Sequence, residues 1–419
     1  METAIRIAAP FSEKARRAIE ARKDWVSKLE FALGKAPTGP RVMLHAPSVG
    51  EFLQGRAVLD EILDRHPNIV AVVTHFSPSA ENIVAAYNRA AARTILPFDS
   101  PKNVQTLLDI VRPELLIFSR ADVWPNLVGE ARKRGVATVL VAGTLSKNAG
   151  RLNPIAAGLA SKGLKFLDLV AAISEDDAAQ FIGMGVNAER VIATGDPRFD
   201  QTHRRAQSVS DGDPLFSPFR RGIPTLVAGS TWPPDERVVL PAFAAVRRVV
   251  PKARLIIAPH EPSPARVNGI VEYLRRKGLN AATLSKVETG SDENTDAVVV
   301  DRVGILAKLY FLGSVAFVGG SFVRRVHNVM EPACMRIPVL VGPKHANARE
   351  AQLLIKAGGA FCVKDARQME EKLLEFFRDD SARKASGRAA ADYVRSNLGA
   401  ARITAELIEK YFSDILNRR

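Results

Sequence analysis

From residue 41 onward the chain repeats one pattern, a short run of aliphatic and β-branched residues followed by a helix-length amphipathic segment, and it does so in two series. The first series holds candidate strands at Val42–His45, Ile69–Thr74, Arg93–Leu96, Leu115–Phe118, Ala137–Ala142, Leu169–Ile173 and Val191–Thr194. Helix-length segments such as Gln54–Arg65, Ser79–Ala91, Asn103–Val111 and Trp124–Arg134 lie between them. The second series has strands at Thr225–Ala228, Arg254–Ile257, Ala297–Val300, Val315–Phe317 and Pro338–Val341, with helices near Glu236–Val249 and Val267–Lys277. Strand, helix, strand in succession demands parallel pairing through right-handed crossovers. The expected fold class is therefore α/β, with two Rossmann-like domains facing an interdomain cleft.

The break between the series, residues 206–221, is polar, carries Gly212, Pro214 and Pro218, and shows no periodicity, so it reads as a linker. The expected domains are 39–205 and 222–385, preceded by a basic amphipathic segment at 1–38 and followed by helices at 386–419. The length of 419 residues suits two or three domains. Two cysteines, Cys334 and Cys362, have no ligand spacing, which argues against a disulfide framework or a structural zinc and fits a reducing compartment. No apolar run approaches the roughly 18 residues that span a bilayer. His66, His75, His203 and His345 also lack metal-ligand spacing, so no metal and no cofactor is expected. The net charge of +14 suits anionic partners, yet the basic residues are dispersed and no nucleic-acid-binding pattern occurs.

Residues 12–33 read as one amphipathic helix, capped by Ser12 and ended by Gly34 and Pro37, with Ala15, Ala18, Ile19, Val26, Leu29 and Leu33 at helical spacing. Arg16, Arg17, Arg22, Lys23 and Lys28 lie among them, with Trp25 and Phe31. Both a membrane-surface helix and one packed on a domain have this composition.

Six segments carry chemistry. His45-Ala-Pro-Ser-Val-Gly-Glu51 follows the first strand and opens a helix; Gly50 would permit a sharp turn and Glu51 would project from the helix start. A carboxylate there can take a proton from a hydroxyl, or can simply favour the positive end of the helix. Phe118-Ser-Arg-Ala-Asp122 leads into Val-Trp-Pro-Asn126, where Pro125 suits a first helical turn. In the second series, Val315-Ala-Phe-Val-Gly-Gly-Ser321, His327-Asn-Val-Met-Glu-Pro-Ala333 and Val341-Gly-Pro-Lys-His-Ala-Asn347 each have the form strand, small-residue turn, helix. Gly319, Gly320 and Ser321 would bring backbone N–H groups to a phosphate, a helix opening near Asn328 would add its positive end, and Glu331 could accept from a ribose diol. Gly229-Ser-Thr231 supplies another turn with hydroxyls.

In this order, His45-Ala-Pro-Ser-Val-Gly-Glu51, Trp124-Pro-Asn126, Gly229-Ser-Thr231, Phe317-Val-Gly-Gly-Ser321, His327-Asn-x-x-Glu-Pro-Ala333 and Gly342-Pro-x-x-x-Asn347 resemble the 3-deoxy-D-manno-octulosonic acid (Kdo) transferases. The resemblance runs from about residue 41 to 350 and implies a GT-B fold. It further implies inverting, metal-independent transfer of Kdo from CMP-Kdo to a lipid A precursor, in lipopolysaccharide synthesis, by a protein lying peripherally on the anionic cytoplasmic face of the inner membrane. Glu51 would be the base. Ser48, Gly50 and Asp122 on the first domain, and Ser230, Thr231, His260, Gly319, Gly320, Ser321, Arg325, His327, Asn328, Glu331 and Asn347 on the second, would contact substrate. Departures are Arg120-Ala-Asp122 for the usual Glu-Thr-Glu, Arg325-Val326 for Gly-Gly, Ala258-Pro-His260 for Pro-Arg-His, and Ser230-Thr-Trp232 for Ser-Thr-His. The apolar N-terminal anchor of many members is missing or truncated. Another GT-B glycosyltransferase, a nucleotide-sugar epimerase or a non-enzymatic anion binder are the alternatives.

Overall fold

A computed structural model describes residue 10 and residues 12–145, 163–219, 222–290, 295–346 and 348–418. It divides into two units, Met1–Gln201 with Leu398–Arg419, and Thr202–Asn397. Each is built on one seven-stranded sheet whose described pairings are all parallel.

The strands of the first unit are β1 (Arg41–Ala46), β2 (Val70–His75), β3 (Ala92–Ile95), β4 (Leu115–Ser119), β5 (Ala137–Gly143), β6 (Leu169–Ala172) and β7 (Val191–Ala193), in the order β3-β2-β1-β4-β5-β6-β7. The order reverses between β1 and β4, which leaves a crevice at their carboxyl ends, where open α/β sheets bind ligands. Nearly every strand residue is buried, because helices cover both faces and leave no solvent side to alternate with.

The second unit has β8 (Thr225–Thr231), β9 (Arg254–Pro259), β10 (Ala281–Thr283), β11 (Ala297–Val299), β12 (Val315–Val318), β13 (Val339–Val341) and β14 (Ala360–Cys362), ordered β10-β11-β9-β8-β12-β13-β14. Its switch point lies between β8 and β12. The three-residue strands β10 and β14 carry too short an apolar run to be legible in the sequence.

The segment expected as one helix over residues 12–33 is two, Glu13–Glu20 and Trp25–Gly34. Asp24, at φ 56°, breaks the run in the left-handed region. The break turns Arg22 inward, where it is 8% exposed. Its guanidinium donates to the carbonyls of Leu96 (2.9 Å), Phe76 (2.9 Å) and Ala18 (2.7 Å). It also lies 4.4 and 4.5 Å from the ring centres of Phe76 and Phe98. Burial pulls its pKa down to about 10. Leu29 and Leu33 enter the core and Trp25 packs against it, so the second helix docks on the sheet domain. Arg22 is thus a pin within the fold rather than part of a basic outer face. Arg22→Ala is expected to lower the stability of this unit by roughly 2–4 kcal/mol, since three carbonyls and two ring faces lose one cation. Arg22→Lys should recover little of it, because an ammonium lacks the planar fork. Thermal melting of the three proteins checks this.

Two further boundaries differ from the sequence reading. The expected linker is anchored at two places: the helix Arg198–Gln207 runs into its start, and Leu215, Phe216 and Phe219 are buried in the second unit's core. The final helix, Ala400–Leu416, belongs to the first unit, where Ala401, Ala405, Ile408 and Leu416 join the core beside β1. Asp200 holds its start by accepting from Gly399 (2.7 Å) and Ala401 (3.0 Å). No helix among the described residues is long and apolar enough to cross a membrane.

Candidate functional site

Each unit gathers its polar side chains at its own switch point. In the first, the helix Val49–Arg65 springs from the end of β1, with Ser48 at its N-cap and Glu51 in its first turn. Gly50 is an ordinary helical residue: a side chain there would meet nothing nearer than Ser48 Oγ at 3.9 Å. The sharp turn expected of it is absent. The glycine that matters is Gly55, where a Cβ would strike Leu44 Cδ1 at 2.7 Å, so its absence lets the helix sit close on the sheet. Ser119 Oγ on β4 donates to the Glu51 carbonyl at 2.7 Å and fixes the first turn over the crevice.

The Glu51 carboxylate, 16% exposed, accepts from Ser48 Oγ on one oxygen and from Arg120 on the other, at 3.1 Å. Arg120 follows β4 with φ 66°, and its N–H donates to Val141 O at 2.9 Å. A left-handed non-glycine residue at a strand end is costly backbone, and here it aims a guanidinium at the carboxylate. Arg120, one of the departures from the resembled family's pattern, is therefore the partner of the candidate base. Asp122 lies exposed in the next loop. Pro125 opens the helix Pro125–Lys133 as expected, and Asp99, unnoticed in the sequence, caps it by accepting from Asn126 N (3.1 Å) and Leu127 N (3.0 Å).

Beneath this surface His45 is 0% exposed, with Nδ1 3.0 Å from Thr74 Oγ1. Burial, and His75 beside it, push its pKa down to about 3. His75 is lowered too, burial outweighing the pull of Glu81 2.9 Å away.

In the second unit the two glycine amides of the turn are spent within the fold. Gly319 N donates to Gly229 O (2.9 Å), while Gly320 N (2.8 Å) and Phe322 N (3.1 Å) donate to Asp235, a carboxylate at 0% exposure. Asp235 also accepts from Trp232 N at 2.8 Å, and so ties the turn after β8 to the turn after β12. Burial raises its carboxyl against these bonds. The glycines serve close approach: a Cβ on Gly319 would lie 2.3 Å from Ser230 O, and one on Gly320 2.4 Å from Arg325 O. Ser321 is fully buried, donating to Val318 O and accepting from Gly342 N at 2.7 Å, so its hydroxyl shapes the turn. Thr231 likewise spends its hydroxyl on Glu236, at 2.9 Å, and Arg266 joins that oxygen at 2.9 Å. Asp235, Glu236 and Arg266 escaped sequence reasoning; two acids in a helix's first turn were the only signal.

What the switch point presents outward is side chains. Ser230 is half-buried at φ 53°, and His260, Arg325 and Asn328 are exposed. Trp232, His260 and His327 form a ring stack, with centroids 4.8 and 4.5 Å apart. Trp232 Nε1–H donates to His327 Nε2 at 3.1 Å. Burial, with His260 and Arg325 adding repulsion, lowers His327 to about 4. Glu331 is 19% exposed, 3.5 Å from Arg205, and its carboxyl is raised by burial. Its helix, Met330–Cys334, has five residues, too short for the strong dipole expected near Asn328. Asn347 lies outside the described residues.

The Glu51 carboxylate over one switch point, and rings, guanidinium and amide over the other, suit a protein that deprotonates a hydroxyl and binds an anion. Solved structures with this fold include the UDP-GlcNAc 2-epimerase of Neisseria meningitidis, at 14% identity with a TM-score of 0.63, over 88% of this chain and all of that one. A glycosyltransferase from Rickettsia africae aligns at 10% identity and 0.56, over 91% of this chain and all of that one. The fold is GT-B. Sequence comparison narrows the class. The family described as 3-deoxy-D-manno-octulosonic-acid transferase (kdotransferase) matches residues 18–201. Relatives bearing that name share 25% identity in Haemophilus influenzae and 28% in Bordetella pertussis, each over 91% of this chain and 89% of theirs; the Aquifex aeolicus protein shares 29% over 79% and 84%. This chain is a glycosyltransferase. Over most of its length it is similar to the Kdo transferases.

Proposed function

We propose that the protein transfers Kdo from CMP-Kdo to a glucosamine hydroxyl of a lipid A precursor, with inversion and without a metal. Glu51 carries the reading: it is a carboxylate at a switch-point crevice, held on both oxygens yet with a further lone pair on each. It takes the acceptor's O–H proton as that oxygen bonds to the anomeric carbon of Kdo. The bond from that carbon to the phosphate oxygen breaks, and CMP leaves with its electron pair. His327, Arg325 and Asn328 meet the phosphate, joined by Ser230 and His260, and Glu331 accepts from the ribose. Asp122 and Arg120 lie on the acceptor side. The +14 charge favours a protein held peripherally at an anionic inner-membrane surface, where the acceptor resides.

Incubating the protein with CMP-Kdo and a lipid A precursor is expected to release CMP only when both are present, with a lipid product heavier by whole Kdo units in the mass spectrum. Turnover of a UDP-sugar in place of CMP-Kdo would overturn this reading.

A further inference from the structure

The ring stack after β8 and β12 has a chemical asymmetry. An indole N–H donates and never accepts, so the 3.1 Å contact from Trp232 Nε1 requires a lone pair on His327 Nε2. A neutral His327 then carries its proton on Nδ1. The Cδ2–Nε2 edge of the ring is the one lying against the glycine turn, since a Cβ on Gly320 would meet those atoms at 2.8 and 3.1 Å. Nδ1–H consequently faces away from the turn, and no hydrogen-bond partner for it occurs among the described residues. Protonating Nε2 would set two N–H groups against each other, and the neighbouring His260 and Arg325 also resist the cation.

We infer that Trp232 is a positioning residue, one that locks His327 into the Nδ1–H tautomer and so presents a neutral, directed hydrogen-bond donor to an anionic phosphate bound at this switch point. The phosphate half of the inference rests on the function proposed above. A donor that stays neutral holds the phosphate by direction, and leaves the charge-carrying contact to Arg325. A free histidine ring can turn its acceptor nitrogen toward the same phosphate, which repels it; the indole bond removes that state.

The test uses the full chain labelled with 15N-histidine, with His327 assigned by the loss of its signals in His327→Gln. Wild type is expected to show a protonated Nδ1 and a bare Nε2 at pH 7. Trp232→Phe keeps an aromatic ring in the stack and deletes the donor. It is expected to move His327 to a tautomer mixture and to weaken CMP binding roughly five- to tenfold, the effect of one hydrogen bond. Melting temperature and circular dichroism separate this from loss of fold. A protonated Nε2 in the wild type, an unchanged tautomer in Trp232→Phe, or CMP affinity indifferent to that substitution would each overturn the inference. Absence of CMP binding in the wild type would overturn the donor-site reading and the phosphate half with it, while the ring signals would still decide the Trp232–His327 bond.

Discussion

Glu51→Gln is expected to cut the rate of Kdo transfer by roughly 10²–10⁴-fold, the range for losing a positioned general base. Glutamine keeps the size of the side chain and an oxygen for Arg120 or Ser48, but it cannot take the acceptor's proton. The loss should fall on kcat, with the KM for CMP-Kdo nearly unchanged, because the donor contacts proposed above are on residues of the second unit. Glu51→Asp retains a carboxylate drawn back by one methylene, and should sit between the two. A rate for Glu51→Gln within a few-fold of wild type would remove Glu51 from the chemistry and leave it as a helix-start carboxylate.

The second large effect is acid lability of the first unit. His45 holds its proton only below about pH 3 when folded, whereas in the unfolded chain it takes one up near pH 6.5. Above pH 6.5 both states are neutral at this ring and nothing is lost. As pH falls, the unfolded state gains about 1.4 kcal/mol per unit until the folded ring protonates too. By pH 3 His45 alone removes roughly 4–5 kcal/mol, a large part of a typical domain's stability. His75 acts in the same direction, while Asp99, whose carboxyl burial raises, acts in the other by less. The three tryptophans allow a clean measurement: Trp25 and Trp124 lie in the first unit and Trp232 in the second, so Trp232→Phe makes indole fluorescence report on the first alone. Urea midpoints in that background should fall steeply between pH 6.5 and 4, and His45→Gln should flatten the slope. An equal slope in both proteins would mean that some other group sets the acid limit.

How far the sequence reached follows from what each feature depends on. Strands buried on both faces write themselves as unbroken apolar runs, so the first unit's strands were legible to within a residue or two, and the second unit's to within three, except its edge strands β10 and β14. Glu51 was legible because strand, turn and helix lie together along the chain. Its partner Arg120 was visible only as an oddity, because the contact needs β1 and β4 to be neighbours, and their residues are about seventy positions apart in the chain. The glycine turn misled for a related reason. Glycines that let a ligand approach and glycines that let another turn approach look the same in one dimension, and only Asp235, from the helix after β8, shows where the amides go. Arg22 was visible only as one of five cations among the apolar positions of residues 12–33; two carbonyls and two rings from distant segments draw it inward.

The return of the Ala400–Leu416 helix has a consequence for biosynthesis. Chain synthesis runs from the amino terminus, yet the first unit's core lacks Ala401, Ala405, Ile408 and Leu416 until the whole second unit has been made. The second unit, continuous from Thr202 to Asn397, is complete sooner. The second unit can therefore close on one continuous stretch of chain, whereas the first must reach across that whole stretch, its apolar flank uncovered until the Ala400–Leu416 helix returns.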